Sequence, residues 1–419
     1  MRSNRAARAI ALALCAVLCF GCAQERNKPV VIWTDRPELA LCAELFNARQ
    51  TDERAVVVYK PSLAGALPPA KDEDAPDLII GSWLKETRLK KHFLPLEGLF
   101  GRKSLNPATI YPHLLAYGAV GARQYLLPVS FNMPLVMFSM RNAHRIPDDY
   151  ILAPDVLRDT AAAFNVQNDK GIYTNMGFAP SWNADFLYVV AKMNGLVFRE
   201  KKGAYHWDDD LLTQTVDYLK DWTAEKNTST TAEQDFAFKY LYMSGYRQVE
   251  SGRCLFVYSS SDALFSIPDD QLDDIDFRWI ARDAVVPVKD DIVMMGIFRH
   301  SDNTRAAQAF AIWLMQEETQ RAILERTAQM QLSMRTFGIA GGFSAVRSVN
   351  ERVFPSYYRP LLGNLPDGTA INPPPPFPPR WYSFKERVVI PYLRDVTSTA
   401  NEQTPSLEER VAAWSMQFN

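Results

Sequence analysis

Three short apolar runs near the start of the chain limit its possible folds most strongly. Val30–Trp33, Ala55–Tyr59 and Leu78–Ile80 are rich in Val, Ile and Leu, which is typical of buried strands. Between the first two runs, apolar residues recur at helical spacing from Leu39 to Phe46. A strand, a helix and two further strands in this order predict a parallel sheet of the α/β class.

Polar and aromatic residues directly follow two of these predicted strands. Asp35 and Arg36 come after the first strand, and Trp83 follows Gly81-Ser82 after the third. Ligands of open α/β sheets bind at the carboxyl ends of the strands. We therefore expect Asp35, Arg36 and Trp83 at a ligand site.

The first residues have the pattern of an export signal. Basic residues precede Ala9–Phe20, an apolar run that is short for a membrane span but suits a signal peptide. Gly21-Cys22 resembles the cleavage site of bacterial lipoproteins, although Leu18 lies one place earlier than in that pattern. We predict a lipoprotein signal peptide over 1–21, a lipid on Cys22 and an anchored linker over 22–28. The alternative is an ordinary secretory signal that is cut nearby.

Composition narrows the partners and the domain organisation. The 419 residues favour two domains, and 46 Lys and Arg against 48 Asp and Glu give a net charge of −2. This balance argues against nucleic acid or an anionic membrane surface as the main partner. Beyond the signal and Cys22, only Cys42 and Cys254 remain. We expect two buried free thiols, with a disulfide between them as the alternative.

The usual catalytic and cofactor signatures are missing from the sequence. It has no G-x-S-x-G, H-E-x-x-H, Walker A or Rossmann glycine motif, and no two of its His residues are close together. We therefore predict no cofactor, no metal site and no catalytic residues. Neighbouring acids such as Asp148-Asp149 could serve a glycosidase, but solvated turns and helix N-termini explain them better.

Aromatic residues beside polar ones recur at the expected strand ends and loops. Rings can cover the apolar faces of a sugar, while Asp, Asn, Arg and Ser bind its hydroxyl groups. Any single ring of this kind is more often a core residue than a sugar platform, but the recurrence favours a carbohydrate ligand. The rings concerned are those of Trp33, Trp83, Phe131, Trp182, Tyr258 and Trp381.

The order of segments resembles the extracellular solute-binding proteins of bacterial ABC importers, in the class that includes the maltose-binding protein. The resemblance covers about residues 29–419, and no single motif carries it. Arg253-Cys254 replaces small residues that are usual in the family. The segments in register are Val30–Thr34, Ala75–Trp83, Leu127–Phe138, Phe236–Phe256, and Asp291–Phe298 followed by Ala306–Gln320.

The resemblance implies a two-lobe periplasmic-binding-protein fold of the type II kind, with a ligand cleft between the lobes and a hinge of crossing segments. By position, one lobe comprises 29–130 and 292–340, and the other comprises 131–291 and 341–419. A long insertion over 363–380, rich in Pro, departs from the family pattern and could overhang the cleft. The ligand contacts implied by the resemblance are Asp35, Arg36, Trp83, Phe131, Asn132, Trp182, Asn183, Tyr258, Ser259 and Trp381.

The function implied is that of a lipid-anchored binding component of an ABC importer, located in the periplasm or cell envelope. A monomer would capture a small solute, above all a sugar, by closing its lobes, and would deliver it to permease subunits in the inner membrane. Two alternatives remain open. One is a non-transport lipoprotein, an adhesin or a sensor, that retains the fold, and the other is a secreted glycoside-active enzyme.

Overall fold

The computed structural model describes residues 28–49, 53–101, 104–330, 336–398 and 404–418. The predicted signal peptide, the lipidated Cys22 and all but the last residue of the linker lie outside these ranges. Within them, no helix is long and apolar enough to cross a membrane.

Two separate sheets organise the molecule, one in each lobe. Ten strands build them: β1 Val30–Thr34, β2 Ala55–Tyr59, β3 Leu78–Gly81, β4 Leu127–Phe131, β5 Pro134–Ser139, β6 Ile151–Leu152, β7 Val257–Ser260, β8 Ile275–Ile280, β9 Val293–Ile297 and β10 Phe343–Ser344. The six-stranded sheet of the first lobe has the order β10-β4-β9-β3-β1-β2, and the four-stranded sheet of the second has the order β7-β5-β8-β6.

The first sheet confirms the parallel arrangement predicted for the start of the chain. β1 pairs in parallel with β2 and with β3, and Val30 lies opposite Ala55. β9 returns from the second lobe and inserts antiparallel between β3 and β4. The carboxyl ends of β1 and β3 therefore lie side by side, next to the segment that enters β9.

Helices cover both sheets, and the predicted helices are present. Those of the first lobe are Leu39–Arg49, Leu63–Ala66, Pro112–Tyr117, Thr304–Leu314, Glu317–Gln329 and Arg347–Arg352. Those of the second lobe are Pro154–Ala162, Ala184–Met193, Asp209–Lys226, Thr230–Lys239, Gly245–Glu250, Ser261–Leu264, Trp381–Phe384, Ile390–Thr397 and Leu407–Ser415. A capping box between Ser406 and Glu409 opens the last of these.

Four pairs of short strands lie outside the two sheets. They are Ala119–Val120 with Arg123–Gln124, Val166–Gln167 with Tyr173–Asn175, Arg199–Lys201 with Ala204–His206, and Val286–Pro287 with Ile371–Asn372. The last pair joins two of the segments that connect the lobes.

Two hydrophobic cores meet at the second sheet. Successive side chains of a strand point to opposite faces. Accordingly, Leu135 and Met137 of β5 pack into a core that continues into the first lobe, whereas Val136 and Phe138 pack into a core confined to the second lobe. Because both faces of this sheet are covered, β5 is buried over its whole length.

Three segments cross between the lobes, and hydrogen bonds join them. The first crossing is Asn132-Met133 between β4 and β5, and the second is 281–292 between β8 and β9. The third is the segment 363–380, which is irregular except for Ile371–Asn372, as its Pro content predicts. The backbone N–H of Lys289 donates to the carbonyl of Asn132 at 2.8 Å, and that of Val288 donates to the carbonyl of Asn372 at 2.9 Å.

The first sheet extends past the boundary that we predicted at residue 340. Phe343–Ser344, assigned to the second lobe by the sequence, pair antiparallel with Phe131 and Ser130 at the edge of the six-stranded sheet. Apolar packing accounts for this position, because the rings of Phe343 and Phe131 lie 5.7 Å apart.

The two cysteines within the described ranges confirm the prediction of buried free thiols. Cys42 lies in the first lobe and Cys254 in the second, and neither forms a disulfide. Burial raises the pKa of both thiols to about 12. They therefore stay protonated at neutral pH and behave as small core residues.

Candidate ligand-binding cleft

A cavity of about 150 Å³ lies where the two lobes and the crossing segments meet. The first lobe contributes Trp83, and the helix Ala184–Met193 of the second lobe contributes four side chains that lie along one side of it. The residues around the cavity are Trp83, Pro134, Asp185, Tyr188, Val189, Lys192, Tyr258, Pro287, Val288, Lys289, Asp290, Asp291, Tyr382, Lys385 and Glu386.

Two aromatic rings from opposite lobes face each other at this cavity. The ring centroids of Trp83 and Tyr382 lie 5.3 Å apart, at an interplanar angle of 44°. The backbone of Trp83 has a φ of 64°, in the left-handed region that residues other than Gly rarely adopt. Such strained positions cluster at ligand sites, where the fold holds a side chain in a required direction.

A buried carboxylate forms the charged floor of the cavity. Asp290 accepts hydrogen bonds from the ammonium group of Lys192 at 2.6 Å, from the hydroxyl of Tyr188 at 2.7 Å and from the indole N–H of Trp381 at 3.0 Å. Burial by itself raises the pKa of Asp290, but the ammonium groups of Lys192 and Lys385 outweigh burial and hold that pKa below its usual value. The carboxylate is therefore ionised at neutral pH.

Two further ion pairs stand at the rim of the cavity. Lys385 lies 3.4 Å from Asp185, and Lys289 lies 3.4 Å from Asp262. Burial lowers the pKa of each lysine, but the surrounding carboxylates outweigh it, so that both pKa values are raised. The rim consequently offers N–H donors and carboxylate acceptors together, which suits a neutral ligand with several hydroxyl groups.

The predicted residues after β1 form a polar network with the second crossing. The backbone N–H of Ser82 donates to the carboxylate of Asp35 at 3.1 Å, and the guanidinium of Arg36 bonds to the hydroxyl of Ser82. Arg36 also lies 3.9 Å from Asp291, which borders the cavity. Burial raises the pKa of Asp35, and the charge of Arg36 opposes that shift.

The structure brings two of the predicted contacts to the cavity itself, Trp83 and Tyr258. Asp35 and Arg36 reach it through Asp291. Burial raises the pKa of the Tyr258 hydroxyl well above its usual value, so this group stays protonated and can donate a hydrogen bond.

The predicted contacts Phe131 and Asn132 do not line the cavity and have partners within the protein. Phe131 is 2% exposed and packs against Tyr111 and Phe343. The side-chain amide of Asn132 donates to the carbonyl of Gly341 at 2.8 Å and accepts from the hydroxyl of Ser261 at 2.6 Å. The side chain of Asn132 thus joins a loop of the first lobe to the helix Ser261–Leu264 of the second lobe.

Three predicted contacts of the second lobe do not border the cavity. The indole N–H of Trp182 donates to the carbonyl of Glu233 at 2.9 Å, and its ring stacks on Phe236. Asn183 caps the helix Ala184–Met193, and Ser259 lies in β7 opposite Leu135. In this structure these residues support the second lobe from within.

Trp381 is oriented differently from its predicted role as a sugar platform. Its side chain is 1% exposed, so it presents no open face to a ligand. Its neighbour Tyr382, which is 56% exposed, faces the cavity instead. Arg380, which precedes both, has a φ of 58°, in the left-handed region.

Sequence reasoning missed most of the charged lining. Asp185, Tyr188 and Lys192 recur at i, i+3 and i+7 on an otherwise apolar helix, which is a detectable one-sided polar stripe. The run Lys289-Asp290-Asp291 directly before the apolar β9 is a second signal of the same kind. No group of three or more His, Cys, Asp or Glu residues in the described ranges could hold a metal ion.

Comparisons with known proteins agree with this architecture. A cyclic α-maltosyl-1,6-maltose binding protein from Arthrobacter globiformis has a similar structure, with a TM-score of 0.61 and 15% identity over 92% of this chain and 96% of that chain. An ABC substrate-binding protein from Listeria monocytogenes in complex with cycloalternan has a TM-score of 0.60 and 13% identity, over 93% of this chain and 98% of that chain. A cyclo/maltodextrin-binding protein complexed with maltotetraose has a TM-score of 0.62 and 14% identity, over 95% of this chain and 99% of that chain.

Sequence comparison provides the family. A search of curated protein sequences found no match. The sequence profile of the bacterial extracellular solute-binding proteins matches residues 35–321, which include strands of both sheets and most of the cavity lining. With its two lobes and the cavity between them, the chain belongs to the bacterial extracellular solute-binding protein family.

Proposed function

We propose that this protein is the lipid-anchored binding component of an ABC importer and that it captures a sugar between its lobes. The observation that carries this proposal is the cavity lined by the adjoining rings of Trp83 and Tyr382, whose other sides bear ammonium and carboxylate groups. Rings of this kind cover the apolar faces of a sugar, and the charged groups bond to its hydroxyls. The three similar structures described above bind carbohydrates, as their names state.

Capture would occur by closure of the lobes around the ligand. A ligand that touches Trp83 and Tyr382 at once gains these contacts only when the lobes are closed, so it shifts the population toward the closed form. The closed form would then deliver the sugar to permease subunits in the membrane. Gly21-Cys22 supports the proposed attachment of the protein to that membrane by a lipid.

Thermal unfolding of residues 23–419 with a panel of sugars tests the binding proposal. The panel contains glucose, mannose, their linear oligosaccharides, polyols and sugar phosphates. A ligand at a hundredfold excess over its Kd stabilises the folded state by about 2.7 kcal/mol, so a bound sugar raises the unfolding temperature measurably. The absence of a shift with every compound would overturn the carbohydrate assignment.

Labelling of the full-length protein with a fatty acid in bacterial cells tests the anchor. We expect the label on the wild type and its loss in the Cys22→Ser variant. Cys42→Ser is the matched control, since Cys42 is buried in the first lobe, and it should keep the label. An unlabelled wild type would favour the ordinary secretory signal.

A further inference from the structure

The cleft continues past Trp83 and Asp290 into a narrow end that is almost completely filled. Both residues border the cavity described above and also this extension, where only about 10 Å³ remains. Lys85 and Tyr117 of the first lobe line one part of the extension. Phe377 and Trp381, from the end of the third crossing and the helix that follows it, line another part.

Phe377 occupies a face of Trp381 that would otherwise be available to a ligand. The two rings are parallel to within 2°, with centroids 4.8 Å apart. A flat ligand on an aromatic platform takes this stacked arrangement. The side chain of Phe377 thus takes the place that a ligand ring would have on Trp381 at this position of the cleft.

The loop that carries Phe377 is held in place at both ends. Six Pro residues between Asn372 and Arg380 restrict its backbone. Before Phe377, Ile371–Asn372 pair with Val286–Pro287 of the second crossing. After it, the hydroxyl of Tyr205 donates to the carbonyl of Pro379 at 2.6 Å. Moving Phe377 out of the cleft would require breaking these contacts.

The volume of the cavity indicates the size of a ligand that fits into it in this form of the protein. A cavity of about 150 Å³ accommodates a molecule of one six-membered ring. Pockets that bury drug-sized ligands have larger volumes, about 300–1,000 Å³. At this end of the cleft, a second sugar unit would need the space at Trp381 that Phe377 fills.

We infer that Phe377 closes this end of the cleft and restricts the ligand to a single sugar ring, a monosaccharide or a derivative of that size. The inference rests on the proposed function, because it names the size class of the same ligand. It assigns the Pro-rich insertion a specificity role: the insertion selects against oligosaccharides by occupying their second subsite.

Calorimetric titration of residues 23–419 tests this inference with two series of probes, glucose with maltose and maltotetraose, and mannose with mannobiose and mannotriose. We expect the wild type to bind one monosaccharide at least tenfold more tightly than its disaccharide. Phe377→Ala should shift this ratio at least tenfold toward the disaccharide. Phe377→Tyr keeps the ring and should keep the preference, as should Phe164→Ala, a matched half-buried Phe of the same core outside the cleft.

Each contrary result identifies what fails. Equal or tighter binding of a disaccharide by the wild type would overturn the size limit and leave sugar binding intact. An unchanged ratio in folded Phe377→Ala would overturn the role of Phe377. If neither protein released heat or gained thermal stability with any sugar, the proposed function would fail, and the size inference with it.

Discussion

The ammonium group of Lys192 lies 2.6 Å from the carboxylate of Asp290, deep in the region where the lobes meet. Their side chains are 11% and 2% exposed, respectively. Lys192 also donates to the carbonyl of Val288 at 2.6 Å. A helix of the second lobe is therefore bound at two points to the second crossing.

We predict that Lys192→Met destabilises the protein strongly. Removing one partner of a buried ion pair leaves an uncompensated charge and costs about 3–5 kcal/mol. Urea unfolding should show this loss in the free energy of unfolding. Arg352→Ala is the control, because Arg352 is 67% exposed where it pairs with Glu317, and such pairs contribute about 0–1 kcal/mol.

A double variant separates charge from packing. Lys192→Met with Asp290→Asn removes both charges, so it should be more stable than Lys192→Met alone. If Lys192→Met lost no more stability than Arg352→Ala, the predicted cost of breaking the buried ion pair would be wrong.

Lys85 gives a prediction about pH. Burial lowers its pKa to about 8, while an unfolded lysine has a pKa of about 10.4. Between these values the unfolded chain binds more protons, so the contribution of Lys85 to stability rises with pH. We expect Lys85→Met to have a higher urea midpoint than the wild type at about pH 7. This difference in midpoint should shrink as the pH rises toward about 10.

The difference between the variants isolates Lys85 from the buried tyrosines. Burial raises the pKa of Tyr111 to about 12, which lowers stability as the pH rises above about 10. That effect is common to both proteins and cancels. Lys91→Met, at an exposed neighbouring position, should follow the wild-type curve. A constant difference across the pH range would refute the shifted pKa of Lys85.

Local patterns predicted the elements well but the partners of side chains poorly. β1 to β3 could be read from short apolar runs, and the placement of Trp83 follows from its position after β3. Periodicity cannot tell which polar groups meet over a long distance along the chain, as Lys192 and Asp290 do. Nor could it choose between Trp381 and Tyr382, since the partners that bury Trp381, such as Phe377 and Asp290, are brought to it by the tertiary fold. The sequence favoured the larger ring, whereas the fold turns that ring into the core.

Asn132 should be important for the stability of the hinge. Its side chain joins Gly341 and Ser261, and it is 8% exposed. Asn132→Ala leaves buried polar groups without these partners, at a cost of about 1–3 kcal/mol in the free energy of unfolding. Urea unfolding measures the loss, and Asn168→Ala, in an exposed turn, should lose less. Equal losses in the two variants would argue against a hinge role of the Asn132 side chain.

Trp83 should report lobe closure through its fluorescence. It is a half-buried Trp at the cavity, and a sugar bound there changes its contacts with water and with Tyr382. We predict that Trp83→Phe abolishes most of the change in Trp emission that the tightest-binding sugar of the panel causes in the wild type. Trp222→Phe, which alters a core Trp that is 1% exposed, should leave that change intact.

The two variants also separate ligand binding from its optical signal. Calorimetry on Trp83→Phe should give a weaker but measurable affinity, because Phe retains a ring that can cover a sugar face. A variant that binds the sugar without the emission change identifies Trp83 as the reporter. If instead Trp83→Phe kept the full emission change and Trp222→Phe lost it, ligand binding would be altering the core of the second lobe and not the cavity between the lobes.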